Sequence, residues 1–104
     1  MASNWELNIE DIDQDDPFEF DRWNMSHLAK HALYTYEDVY DAFFDNPIFV
    51  DAPHEPALWL MIAAVPGDIV IVPLMRADRA EQLRPIGIYS ANKKHREVYR
   101  DAWN

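Results

Sequence analysis

The feature that most constrains the fold is an apolar hairpin in the middle of the chain. Residues 58–65 are almost continuously apolar, which is typical of a strand covered on both faces. Pro66 and Gly67 then predict a tight turn, because proline fixes φ and glycine is free to adopt positive φ. Residues 69–72 return as the partner strand. Pro73 has no N–H to donate to a neighbouring strand, so we predict a bulge or a sheet edge there.

Shorter segments on both sides of the hairpin complete a mixed pattern. Asn24 and Thr35 are residue types that begin helices, and the proline at position 47 ends the second helix. The predicted strands are residues 18–20, 48–50, 58–65, 69–72 and 84–89; the predicted helices are residues 24–32, a second helix opening at Thr35, and residues 93–103, with Val98, Tyr99 and Ala102 facing inward. Because the helices are segregated around a mostly antiparallel sheet, we predict an α+β fold with two N-terminal helices and one C-terminal helix.

Length and composition indicate one domain preceded by a tail. The 104 residues, 49% of them hydrophobic, suffice for one core. Residues 1–16 carry six acidic and no basic side chains and are interpreted as an acidic tail, extended or disordered until docked, ahead of a domain at 17–104. The alternation of Trp5, Leu7 and Ile9 leaves open a short edge strand. Without cysteines, a signal peptide or an apolar run of membrane-spanning length, we expect a soluble cytoplasmic protein.

Charge is distributed unevenly along the chain. The formal net charge is −10, yet residues 76–104 carry seven basic and four acidic side chains. A uniformly acidic surface would disfavour nucleic-acid binding, because contact with a phosphate backbone requires clustered cations. A cationic C-terminal segment behind an acidic front permits a nucleic-acid site without requiring one. The acidic tail is a candidate lid over that segment.

Few patterns point to metal or cofactor chemistry. His27 and His31 lie four residues apart on a predicted helix, but no third ligand accompanies them, so a hydrogen-bonding pair is the preferred interpretation. With only two glycines there is no phosphate-binding loop. We therefore predict no cofactor and no metal.

The segment 90–100 is the strongest candidate for chemistry. It combines a strand end with a helix start rich in lysine and arginine, and it includes a histidine and a tyrosine. Cleavage of RNA by its own 2′-hydroxyl needs a base, an acid and cations on the scissile phosphate, which these residue types can provide. The alternative is a terminal helix with ordinary surface charges.

Several motifs, taken in order, resemble the BrnT family. They are Phe18-Glu19-Phe20-Asp21, the stretch from Trp23 to His31 that ends in a Lys-His pair, Thr35-Tyr36-Glu37-Asp38-Val39, Asp45-Asn46-Pro47, Arg84-Pro85-Ile86 and Ser90-Ala91. The resemblance covers roughly residues 18–103. BrnT proteins are small toxins of type II toxin–antitoxin modules, similar in fold to RelE-type ribonucleases.

The resemblance implies a RelE-like α+β fold, cofactor-independent ribonuclease activity on messenger RNA, and a ribbon-helix-helix antitoxin as partner. The residues that would carry catalysis are His31, Lys30, Ser90, Arg96 and Tyr99. His95 is an alternative to His31 for proton transfer. Phosphate binding would fall to Arg84, Lys93, Lys94 and Arg100.

This sequence departs from the family pattern in ways that keep a second hypothesis open. Asn92 stands where the family has an arginine after Ser-Ala, Ala32 replaces a glycine, and the chain is acidic where such toxins are basic. The second hypothesis is therefore a BrnT-like scaffold without catalysis that acts as an acidic binding or inhibitory protein, for instance as a nucleic-acid mimic. A halophilic toxin would also account for the acidity.

Overall fold

The computed structural model describes residues 7–29 and 34–103. Its elements are a short 3-10 helix at Ile9–Asp11, the helices α1 (Arg22–Ala29), α2 (Tyr36–Phe43) and α3 (Lys93–Ala102), and the strands β1 (Ile48–Asp51), β2 (Trp59–Val65), β3 (Asp68–Arg76), β4 (Leu83–Pro85) and β5 (Tyr89–Ser90). The strands form one antiparallel sheet in the order β1-β2-β3-β4, with β5 also paired to β3. The α+β class, the antiparallel sheet and the three helices are thus confirmed. No helix in this part of the chain is long and apolar enough to cross a membrane.

The central hairpin forms as predicted. Val65 pairs with Asp68 across the turn, and Gly67 takes a φ of 84°, which non-glycine residues rarely adopt. Every residue of β2 except Ala64 is buried, because β1 and β3 flank this strand, α2 packs against it and α3 also contacts it. The apolar run therefore marks the centre of the core.

The prediction that Pro73 lies at a bulge or a sheet edge is wrong. Strand β3 continues through Pro73 and pairs with β2 along its whole length. On its other side, β5 pairs with Val70 and Ile71, and β4 pairs with residues 74–76. Pro73 falls in the interval between these two partners, where its carbonyl accepts from the Ile86 N–H at 3.0 Å.

Two other predicted strands are altered. Residues 18–20 do not form a strand: Phe18 makes a single parallel bridge to Leu83. The pairing stops there because Pro85 has no N–H to donate to the Glu19 carbonyl, which accepts from the Asn24 side chain instead. The predicted strand 84–89 is interrupted after Pro85. The Tyr89 ring lies 2.6 Å from where a Cβ of Gly87 would be, so a larger residue at this break would require the Tyr89 side chain to move.

The predicted helix starts are nearly right. Helix α1 begins two residues before Asn24, because Asp21 caps it: the Asp21 carboxylate accepts from the Asn24 N–H at 3.1 Å, and the Asn24 side chain accepts from the Asp21 N–H at 2.7 Å. At α2, the Asp38 carboxylate accepts from the Thr35 N–H at 2.8 Å. In α3, Val98 and Tyr99 are half-buried but Ala102 is exposed, so the inward orientation predicted for Ala102 is wrong.

The first described residues pack on the domain. Ile9 lies in a 3-10 helix and not in an edge strand, while Trp5 lies outside the described residues. Ile12 is 5% exposed and belongs to the hydrophobic core. The Asp13 N–H donates to the Glu81 carbonyl at 2.9 Å. This segment therefore lies against the loop before β4.

Candidate functional site

Four side chains meet at the start of β3. The Ser90 hydroxyl donates to Oδ2 of Asp68 at 2.8 Å, and Nη2 of Arg96 donates to its Oδ1 at 2.6 Å. The Tyr34 hydroxyl also donates to Oδ2, and the backbone N–H of Ile69 reaches Oδ1 at 2.8 Å. We call Tyr34, Asp68, Ser90 and Arg96 the Asp68 cluster.

The local fold explains why these residues meet. The Pro66-Gly67 turn places Asp68 at the first position of β3, and β5 pairs its Ser90 with Val70, two residues further along. Asn92 then begins α3, because its side chain accepts from the His95 N–H at 2.8 Å. Asn92 thus has a structural role as a helix N-cap.

Arg96 is held in one orientation with part of its guanidinium unused. Its Nε donates to the Ala91 carbonyl at 2.9 Å, and its Nη2 also lies 2.9 Å from the Ser90 hydroxyl. Its Nη1 makes no hydrogen bond to any other residue within 7–29 or 34–103, and the side chain is 29% exposed. A guanidinium fixed on one edge and free on the other can bind an oxyanion with little loss of conformational entropy.

The cluster shifts two ionisation equilibria. The hydrogen bond from Tyr34, followed by those from Arg96 and Ser90, holds the pKa of Asp68 well below its usual range. The same contact with the Asp68 carboxylate raises the pKa of Tyr34. Asp68 is therefore a poor general base at neutral pH, and its role is to orient the donors around it.

Stability is expected to depend on pH through Asp68. Because the pKa of Asp68 is lower in the folded chain than its ordinary value of 3.8, its contribution is present above about pH 4 and is lost as the pH falls below that. We expect Asp68→Asn to be less stable than wild type at pH 7, with the difference shrinking by pH 3. Urea unfolding of both proteins at the two pH values measures this. A difference that stays constant would contradict it.

Arg84, predicted to bind phosphate, forms ion pairs with two carboxylates. Its Nη1 lies 2.9 Å from Oε1 of Glu19 and 2.9 Å from Oδ2 of Asp21, and its guanidinium lies 5.8 Å from the Trp23 ring centroid. The hydrogen bond from Arg84 lowers the pKa of Asp21, and the pKa of Arg84 is raised in return. This arginine shares no contact with the Asp68 cluster.

The remaining predicted residues are divided among different surroundings. Lys93, Lys94 and Arg100 are exposed on α3 and form no ion pair with another described residue. The Tyr99 hydroxyl donates to the Asn46 carbonyl at 3.2 Å and does not join the cluster.

Nδ1 of His95 is buried and lacks a hydrogen-bond partner among the described residues. Lys30 and His31 lie outside the described residues, while His27 stacks on the Trp23 ring at 5.0 Å.

Sequence reasoning missed Tyr34 and Asp68. The position of Asp68 directly after a Pro-Gly turn was visible, but nothing in the pattern showed that residues 22 to 34 positions away would converge on it. No group of three or more histidine and carboxylate side chains in the described segments is placed to hold a metal ion. Comparison with protein-family models, curated proteins and solved structures gives no significant match.

Proposed function

We propose that this chain is a BrnT-like toxin that cleaves RNA without a metal ion and is neutralised by a cognate ribbon-helix-helix antitoxin. The observation that supports this best is the pair formed by Ser90 and Arg96, whose side chains lie 2.9 Å apart and are both fixed by Asp68. These are two of the residues that the resemblance singles out. The RelE-like character of the α+β fold is part of the same proposal.

The other charges of α3 suit a phosphate backbone. Lys93 and Lys94 lie in the first turn of the helix, close in sequence to Ser90, and Arg100 lies one turn beyond Arg96. All three are exposed and carry no carboxylate partner among the described residues. In this proposal they bind the phosphates that flank the scissile one.

The proposed reaction is an in-line transesterification. The 2′-oxygen attacks the adjacent phosphorus, the bond from phosphorus to the 5′-oxygen breaks, and the products are a 2′,3′-cyclic phosphate and a 5′-hydroxyl end. A base removes the 2′-proton and an acid protonates the leaving 5′-oxygen, roles that we assign to His31, Lys30 or His95. Arg96 stabilises the charge on the phosphate through Nη1, while Asp68 and Ser90 position Arg96.

The experiment that tests the proposal uses the full-length chain and a structured, 5′-labelled RNA in the presence of EDTA. We expect discrete fragments whose amount rises with protein concentration. An RNA that stays intact at every salt concentration would contradict ribonuclease activity.

A second candidate function is an acidic binding protein on the same scaffold. It is favoured by the way carboxylates match the arginines: Asp68 pairs with Arg96, Glu19 and Asp21 pair with Arg84, and Asp13, Asp16 and Glu81 surround Arg79. These ion pairs neutralise much of the positive charge of the cationic C-terminal segment. The negative charge of a chain whose net charge is −10 therefore dominates the surface. Under this candidate the RNA stays intact and a basic protein is the partner.

A further inference from the structure

Tyr34 is the member of the Asp68 cluster to which the proposed reaction gives no role. It lies directly before Thr35, the residue that begins α2, and its side chain is half-buried. The other members, Asp68, Ser90 and Arg96, belong to β3, β5 and α3. The Tyr34 hydroxyl donates to Oδ2 of Asp68. A residue from the segment before α2 therefore completes the surroundings of a carboxylate on the sheet.

Four donors from the described part of the chain fill the Asp68 carboxylate. Oδ2 accepts from the hydroxyls of Tyr34 and Ser90, the second at 2.8 Å. Oδ1 accepts from the Ile69 N–H at 2.8 Å and from Nη2 of Arg96 at 2.6 Å. An ionised carboxylate offers about four lone-pair positions, two on each oxygen. No position therefore remains for a second N–H group of the guanidinium.

The filled carboxylate determines how Arg96 can pair with it. Arginine often contacts a carboxylate through two parallel N–H groups, which would place both Nη1 and Nη2 on Asp68. Here Nη2 alone reaches Asp68, Nε donates to the Ala91 carbonyl, and Nη1 has no hydrogen-bond partner within residues 7–29 and 34–103. The Tyr34 hydroxyl thus holds the position on Oδ2 that Nη1 would otherwise take.

We infer that Tyr34 is a positioning residue whose hydroxyl keeps the contact between Arg96 and Asp68 single and so leaves Nη1 available to a phosphate oxygen. The inference rests on the proposed function, in which Nη1 of Arg96 binds the scissile phosphate. Ser90 also occupies Oδ2, but it contacts Arg96 directly at 2.9 Å, so Tyr34 is the better position for isolating the indirect effect. The hydrogen bond between Tyr34 and Asp68 lowers the pKa of the carboxyl and raises that of the phenol, so at neutral pH acceptor and donor keep these roles.

The test compares wild type with Tyr34→Phe, which loses the hydroxyl and keeps the ring, in single-turnover RNA cleavage. We expect the rate constant at saturating protein to fall at least about tenfold, because a donor to the developing oxyanion is diverted to Asp68. The protein concentration that gives half of this rate should change less than about twofold, because other cations hold the flanking phosphates. Tyr36→Phe is the matched control: Tyr36 is 41% exposed, its hydroxyl has no hydrogen bond to another described residue, and the variant should cleave as wild type does.

Two further measurements show whether Tyr34 acts through Arg96. Adding Tyr34→Phe to Arg96→Ala should slow cleavage no further, because the guanidinium that the hydroxyl positions is gone. In crystal structures of the full-length chain, Nη1 of Arg96 should lie within hydrogen-bond distance of Oδ2 of Asp68 in Tyr34→Phe and beyond it in wild type.

Each contrary result overturns the inference. These results are a wild-type rate in Tyr34→Phe, an equal loss in Tyr36→Phe, an additive loss in the double variant, or an Arg96 side chain that keeps its wild-type contacts in the Tyr34→Phe crystal. If the wild-type protein leaves RNA intact, the proposed function fails, and the two crystal structures then decide the inference about the Arg96 contact on their own.

Discussion

Replacing Arg96 by alanine is expected to slow RNA cleavage at least about 100-fold, the size of effect seen when one donor to a developing oxyanion is removed. Nη1 of Arg96 makes no hydrogen bond to another residue in the described part of the chain and is available to contact a phosphate, while Nε and Nη2 are held by Ala91, Ser90 and Asp68. Single-turnover cleavage of a labelled RNA, with the protein in excess, measures the effect on the chemical step.

Two further variants distinguish a structural role of Arg96 from a catalytic one. Arg96→Lys keeps a positive charge beside Asp68 but lacks the planar guanidinium, so it should fold normally and still cleave at least about tenfold slower. Arg79→Ala removes an arginine whose three carboxylate partners lie elsewhere, and it should cleave at the wild-type rate. Equal losses in Arg96→Ala and Arg79→Ala would show that net charge, and not this site, controls the rate.

Replacing Asn24 by alanine is expected to lower the free energy of unfolding by about 2–4 kcal/mol. The Asn24 side chain is fully buried and makes three hydrogen bonds: it accepts from the Asp21 N–H and donates to the Glu19 carbonyl at 2.9 Å and to the Pro85 carbonyl at 3.0 Å. Because Pro85 belongs to β4, this one amide joins α1 to the sheet. The alanine variant leaves these backbone groups without their partner. Urea unfolding monitored by far-UV circular dichroism measures the change.

Ser26→Ala is the matched control for Asn24→Ala. Ser26 lies on the same helix and is exposed, and it makes no side-chain hydrogen bond to another described residue. We expect its substitution to change the free energy of unfolding by no more than about 0.5 kcal/mol. If Asn24→Ala were as mild as Ser26→Ala, the attachment of α1 to β4 would have to rest on other contacts, with Leu28 the first to test.

The elements that sequence reasoning predicted correctly are those whose signals are local. The hairpin of β2 and β3 follows from an apolar run and a Pro-Gly turn, and α2 follows from Thr35 and the apolar spacing after it. The errors arise where the pairing of neighbouring strands determines the local structure. Pro73 is accommodated because β4 and β5 leave a gap beside it, and Phe18 has a single bridge because Pro85 has no N–H to continue the pairing.

The candidate site also contains residues that local sequence signals indicate and residues that only tertiary contacts bring together. Ser90 and Arg96 could be named because they belong to a short motif and the helix that follows it. Tyr34 and Asp68 could not, because they are 34 residues apart and their contact depends on how the chain before α2 meets the turn before β3. In the sequence the arginines form part of a cationic segment, and only the three-dimensional structure shows that carboxylates 66 and 65 positions away reach Arg79 and Arg84.

The central claim, that the chain cleaves RNA by attack of the 2′-hydroxyl, is tested most directly with two RNA substrates that differ in one atom. The first is an all-ribose RNA, on which the major cleavage site is mapped in EDTA. The second carries a single 2′-deoxy nucleotide on the 5′ side of that site. We predict that cleavage there disappears in the second RNA and that the first yields a 2′,3′-cyclic phosphate. Cleavage of both RNAs at that position would contradict the proposal, as would an all-ribose RNA that stays intact and gives no site to map.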